Sequence, residues 1–238
     1  MGTMYDRTKW LIGEESLEKL KKANIIIFGV GGVGGYCVEA LIRAGIGAIT
    51  LVDFDVVDPT NINRQIIALE TTVGQDKVQV MANRIQEING KAKATPLRMR
   101  VTRENVQEFH LEKYDYIIDA IDDVDGKLTI IQKAKELNIP VISSMGTGNK
   151  LNGKNFQVAD ISKTHTCPLA KKIRKELRTL GIHHLKVVYS SEEPARAEAP
   201  GETSRSPASI SFIPPISGLL MAGEVIRDLI HPENYRLE

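Results

Sequence analysis

Six residues, Gly29-Val30-Gly31-Gly32-Val33-Gly34, separate the apolar run Ile25-Ile26-Ile27-Phe28 from a segment with helical periodicity. Glycines between a strand and a helix let backbone approach phosphate groups, and the helix offers its free N–H donors and positive dipole end. Asp53 lies nineteen residues past Gly34, at the end of the next apolar run, where an acidic group receives ribose hydroxyls. The loop alone does not choose a nucleotide, because dehydrogenases use similar geometry. Asn61-Ile62-Asn63-Arg64-Gln65 follows, and Lys77 opens the next helical stretch. A dehydrogenase has no need of that donor cluster. A triphosphate does, since charge-assisted bonds from Arg64 and Lys77 would neutralise phosphoryl oxygens as pyrophosphate leaves. Taken singly, either residue is better read as a solvated surface charge. Asp122, just past the strand ending at Asp119, falls at the same carboxyl edge and suits magnesium, which takes one or two carboxylates plus phosphates. On its own it could equally cap the helix behind it. The set as a whole points to ATP and Mg2+.

Alternating strands and helices must place these groups, which argues for a mostly parallel sheet. Strands are expected at 25–28, 49–53, 93–99, 116–119 and 139–143, with helices over 35–44, 76–88 and 126–137. After Ser144 the rhythm changes. Segments 156–161 and 185–189 read as strands flanking a basic helix over 169–180. The expected fold is α/β and Rossmann-like, a mostly parallel twisted sheet flanked by helices, with an added antiparallel portion after residue 150. It forms one domain over 1–238, with an N-terminal helical arm over 1–22. Residues 190–207 are rich in Glu, Ala, Pro, Ser and Gly and are expected to form a mobile loop.

Composition agrees with a soluble protein of the cytoplasm. There are 31 Lys+Arg against 30 Asp+Glu, so the molecule as a whole is no polyanion binder, although a local patch could be. The polar start resembles no signal peptide, and the apolar stretch 210–230 carries Pro214, Pro215, Glu224, Arg227 and Asp228, which fits core rather than membrane. Cys37 and Cys167 are the two cysteines, too few for a disulfide scaffold or a four-thiolate zinc site.

The run Gly29–Gly34, Asp53-Phe54-Asp55, Asn61–Gln65, Val73-Gly74 with Lys77, and Asp119-Ala120-Ile121-Asp122 resembles the ubiquitin-activating-enzyme-like adenylyltransferases. That resemblance implies that Gly29, Gly31, Gly32 and Gly34 line the nucleotide while Asp53 binds ribose and Asp55 stands beside it. It also implies that Asn61, Arg64, Gln65 and Lys77 hold phosphates, that Asp122 holds magnesium, and that Arg7 crosses a homodimer interface to reach the γ-phosphate. Within the superfamily the chain is similar to the tRNA threonylcarbamoyladenosine dehydratases, through 61–66, 143–151, 159–161, 166–170, 185–190 and the final helix around 218–226. Such enzymes adenylate the carboxylate of a modified adenosine beside the anticodon and close it on its own carbamoyl group. Whether a monovalent cation is needed stays open. Two other readings remain: activation of the C-terminal glycine of a sulfur-carrier or ubiquitin-like protein, and a non-catalytic scaffold subunit. The scarcity of cysteine is compatible with ring closure, which needs no external nucleophile.

Segment 163–188 carries seven Lys/Arg and one acid. Leu169, Ile173, Leu177 and Leu180 form an apolar stripe that would leave Lys171, Lys172, Arg174, Lys175 and Arg178 exposed, either as a solvated helix face or as a surface for the phosphates of tRNA. The resemblance favours tRNA. Cys167 precedes Pro168 at the start of that helix, where a thiolate would be favoured, but a small structural residue fits as well.

Overall fold

The computed structural model describes residues 2–195, 207–231 and 233. Seven strands form one sheet: β1 (Asn24–Phe28), β2 (Ala48–Val52), β3 (Lys93–Leu97), β4 (Tyr116–Asp119), β5 (Val141–Ser144), β6 (Phe156–Asp160) and β7 (Lys186–Ser190). Their spatial order is β3-β2-β1-β4-β5-β7-β6. Every pairing is parallel except β6 with β7, which is the antiparallel addition expected after residue 150. The chain moves outward from β1 to β3 and then returns to lay β4 on the other side of β1. Ligands of open α/β sheets bind at such a reversal, outside the carboxyl ends of the strands.

Both faces of the sheet are covered, which explains the unbroken apolar runs. Ile25 and Ile27 pack on one side with α2 (Gly34–Ala44), α3 (Lys77–Ile88) and α6 (Ile213–Ile230). Ile26 and Phe28 point to the other side, against α4 (Val124–Glu136) and α5 (Pro168–Thr179). The N-terminal arm is helix α1 (Asp6–Lys22), interrupted at Gly13, where φ is 82°. Of segment 210–230, expected to be core, α6 packs one face into the core, whereas 210–212 ahead of it are exposed. Asp228 on α6 accepts from Tyr116 Oη at 2.6 Å and pairs with buried Lys186 at 2.7 Å, so an acid in an apolar helix has a reason to be there.

Several boundaries differ from expectation. The third strand stops at Leu97, and Pro96 within it is tolerated because β3 is an outer strand. Ile139 is not in β5; its N–H closes the end of α4 on Ala134 O. Ser190 is fully buried as the last residue of β7, so the expected loop loses its first residue to the sheet. Glu192 is anchored too, its carboxylate accepting from Leu151 N and Asn152 N. Residues 196–206 of that loop lie outside the described residues.

The Asp228 network carries a stability consequence. Asp228→Ala removes the carboxylate shared by Lys186 and Tyr116 and should cost on the order of 3 kcal/mol of unfolding free energy in urea titration. A loss below about 1 kcal/mol, the level of an exposed pair, would show that the network contributes little.

Candidate active site

Segments that leave the carboxyl ends of β1 to β5 around the β1/β4 reversal line one cavity of about 710 Å3. The first is the glycine loop. Gly29 has φ of 90°, and a Cβ there would sit 2.8 Å from Ala120 O; a Cβ on Gly34 would sit 1.9 Å from Gly29 O. These two glycines therefore close the turn and press it against the strand beside it. Gly29, Gly31 and Gly32 line the cavity, and Gly34 does not. The glycines of the loop thus have different roles: Gly29 and Gly34 shape the turn, Gly32 admits the close approach of Pro214, and Gly31 leaves room beside Gln65.

Asp53 follows β2. Its Oδ2 accepts from Val30 N at 2.9 Å and its Oδ1 from Asp55 N at 3.0 Å. Each carboxylate oxygen retains acceptor capacity for a ribose hydroxyl. Burial raises the Asp53 pKa above its ordinary value, opposed by the Lys77 ammonium and the two backbone donors. Lys77 is itself buried at the start of α3, with its Nζ 2.8 Å from Asp55 Oδ2, so it is no solvated surface charge.

The turn after β2 shapes the phosphate side. Asn61 is buried and its Oδ1 accepts from Asp58 N, while Asp58 accepts from Thr60 N, which locks the 3₁₀ turn 59–61. Arg64 lines the cavity and donates to Thr60 O and Asn63 Oδ1, both at 2.9 Å. Gln65 is 7% exposed, and its buried Oε1 has no hydrogen-bond partner among the described residues. Its amide stands 3.5 Å from where a Gly31 Cβ would be. A buried, unmatched amide facing the glycine loop fits a nucleotide as the missing partner.

Asp122 is exposed on the cavity wall. The cap of α4 is made instead by its neighbour Asp123, which accepts from Gly126 N at 2.9 Å. Asp122 is thereby left to face the cavity, where its carboxylate fits a divalent cation. Arg7 is not in this cavity. Two residues before it, Tyr5 meets Gly45 and accepts from Asn89 Nδ2, at the ends of α2 and α3 on the opposite edge of the sheet.

The basic helix differs from its expected face. Lys171, Lys172, Lys175 and Arg178 are exposed, but Arg174 is half-buried and donates to Thr164 O at 2.8 Å, stapling the turn 161–164. Leu180 is 45% exposed, and Ala170 takes its place beside Ile173 and Leu177. Cys167 is buried on the cavity wall, whereas Cys37 is inside α2, where burial pushes its thiol far up.

Two features escaped the sequence reading. Lys127 on α4 is wholly buried and donates to Asp119 Oδ2 at 3.0 Å, Ser143 Oγ at 3.2 Å and Ser144 O at 2.7 Å. The signal was a lysine among Leu128, Ile130 and Ile131, eight residues after an acid that ends a strand. The second is Arg100, which lines the cavity with its guanidinium 5.4 Å from the centroid of the Phe54 ring.

The capping assignment is testable by urea unfolding. Asp123→Ala should cost about 1 kcal/mol, the usual loss for an N-cap, whereas Asp122→Ala should leave the midpoint in place. The reverse pattern would move the cap to Asp122.

Comparisons with known proteins agree with this geometry. A profile of the ThiF family matches residues 5–237. The chain is 42% identical to a Bacillus subtilis tRNA threonylcarbamoyladenosine dehydratase over 95% of this chain and 94% of that protein. It is 43% identical to the Escherichia coli dehydratase of the same name over 72% of this chain, spanning 64% of that protein's length. The crystal structure of the E. coli enzyme in complex with ATP superposes with a TM-score of 0.89 at 33% identity, covering 97% of this chain and 95% of that one. On this evidence, the chain belongs to the ThiF family.

Proposed function

We propose that this chain is an ATP-dependent tRNA threonylcarbamoyladenosine dehydratase. The observation that carries the reading is the cavity at the β1/β4 reversal, which brings Asp53, Gln65, Arg64, Lys77 and Asp122 together. The similarity to the B. subtilis dehydratase, which extends over nearly the full length of both chains, supplies the substrate class.

In this reading ATP is a substrate. Asp53 accepts the ribose hydroxyls, the Gln65 amide and the Gly31–Gly32 backbone meet the nucleotide, and Arg64 and Lys77 neutralise phosphoryl oxygens. The carboxylate of the modified adenosine attacks the α-phosphorus in line, the bond to pyrophosphate breaks, and an acyl-adenylate remains. Positioning and charge stabilisation do most of the work in such a transfer. The carbamoyl group of the same substituent then attacks the acyl carbon, AMP leaves and a proton is lost. Tethering gives this second step an effective molarity on the order of 10⁵ M or more, so no separate nucleophile is required. Asp122 would hold Mg2+, which supplies charge neutralisation on the phosphates.

The assembly we propose is a cytoplasmic homodimer. Trp10 and Leu11 in α1 are 78% and 86% exposed, and such large apolar groups favour a partner surface. Arg7 lies in the same helix, so a second copy is the route by which it would reach a phosphate. No helix among the described residues is long and apolar enough to cross a membrane. The tRNA would dock along α5, whose N-cap Cys167 and first residues Pro168 and Leu169 line the cavity and whose Lys171, Lys172, Lys175 and Arg178 are exposed.

A pyrophosphate-exchange assay tests the reading: exchange should require tRNA carrying threonylcarbamoyladenosine. Dependence on a sulfur-carrier peptide instead, or no exchange with either, would reject it. In the same assay Arg64→Ala should lower the rate by about 10²-fold or more, as loss of one charge-stabilising donor does; a near-normal rate would remove Arg64 from phosphate binding. Lys172→Glu with Lys175→Glu should weaken tRNA binding and make its loss with salt shallower while ATP affinity holds. Unchanged tRNA binding would place the docking face elsewhere.

A further inference from the structure

A buried ammonium has three N–H donors to satisfy, and burying a charge without partners is costly. Lys127 meets the requirement with three protein acceptors. The two lysines that line the cavity do not. Lys77, on the nucleotide side, has Asp55, and the triphosphate reading accounts for its remaining capacity. Lys150, on the other side, is 4% exposed and donates to one neutral acceptor, Glu192 O, at 2.6 Å. No carboxylate among the described residues stands within ion-pair distance of it; the Glu192 carboxylate, though near enough to be felt, accepts instead from Leu151 N and Asn152 N. Burial lowers the Lys150 pKa, opposed by nearby Cys167 and Glu192.

Its surroundings share the same character. The pairing of Asn149 with Ala208, N–H to carbonyl and amide oxygen to N–H, brings Lys150 beside the chain at Ser209. Ser209 Oγ is buried, lines the cavity and has no hydrogen-bond partner among the described residues. Helix α5 also starts at this wall, with no side-chain cap on its N-terminus. An uncapped helix start adds positive potential and free donors to those of the lysine.

We infer that Lys150, with Ser209 Oγ and the start of α5, forms the pocket for the carboxylate of the acyl substrate, and that Lys150 is a substrate-positioning residue. The inference rests on the proposed function and deepens it. A carboxylate suits the depth of the lysine better than a nucleic-acid phosphate, whose chain must stay outside the cavity. The nucleotide's own phosphates have Arg64 and Lys77 as partners in this reading. The arrangement would also select substrate: an adenosine lacking the acid leaves the buried cation unmatched.

The test is equilibrium binding of two anticodon stem-loop RNAs to the full chain at saturating non-hydrolysable ATP analogue. One RNA carries threonylcarbamoyladenosine as the free acid, the other as its methyl ester. The native protein should prefer the acid on the order of tenfold or more, the value of a charge-assisted hydrogen bond. Lys150→Met should erase that preference with the affinity for the ATP analogue unchanged, and Lys150→Arg should keep most of it. Steady-state kinetics should show the Lys150→Met defect in KM for tRNA rather than for ATP. An acid preference that survives in Lys150→Met would overturn the assignment, and so would equal weakening of acid and ester, which would assign the cation to a phosphate. Native protein that binds neither RNA would reject the dehydratase reading itself and the inference with it.

Discussion

Lys127 has no access to water, and the two strand ends between which the cavity opens are joined through it. Its ammonium bridges Asp119 at the end of β4 to Ser143 and Ser144 at the end of β5, and Ser143 Oγ donates to the same aspartate at 2.6 Å. The other aspartate oxygen accepts from Ile121 N, at the start of the loop that carries Asp122. A buried ion pair of this kind contributes little net stability over an apolar equivalent, because desolvation offsets most of the attraction. What it does supply is direction. Apolar contacts would tolerate a small slide of β5 against β4, whereas a saturated set of hydrogen bonds admits one arrangement. The segments 120–122 and 144–150, on opposite sides of the cavity, take their starting points from that arrangement.

The cavity then divides by chemistry. On one side a glycine turn, an aspartate and two cations form a surface whose sequence pattern is continuous and local. On the other, segment 144–150 is joined to residues 192–195 and 208–209, more than forty positions along the chain. Ser144 Oγ also lies 3.0 Å from Ser217 Oγ, which ties β5 to α6 and so to the helix packed against α2. The nucleotide side is therefore assembled mostly from neighbours in sequence, tied to the distant segment where Asn63 Nδ2 donates to Ser209 O, and the rest of the wall from distant ones.

That division explains how much could be read before the structure was known. The strands, the glycine turn, Asp53 and the donor group after β2 were legible because buried parallel strands write unbroken apolar runs and the turn residues sit at fixed offsets. The antiparallel pair after residue 150 was legible from its changed rhythm. Lys127 and Lys150 were not, because a lysine in sequence carries no sign of whether its ammonium reaches water or a buried acceptor. Arg174 was assigned to the wrong face for a related reason: its long side chain turns back to Thr164, which helical spacing alone cannot reveal. Leu180 failed because α5 ends at Thr179, so the periodicity no longer governs the residue that follows. Asp122 and Asp123 show the limit of a single position, since two adjacent acids compete for one cap and local geometry awards it to the second.

The proline in β3 has a bearing on how the molecule behaves in a crowded solution. β3 is the outermost strand on its side, and a free strand border invites a stray chain to add itself by backbone pairing. Pro96, in the middle of that border, withholds an N–H and interrupts the template. The same residue that shortens the apolar alternation of β3 thus serves as a guard against runaway sheet growth.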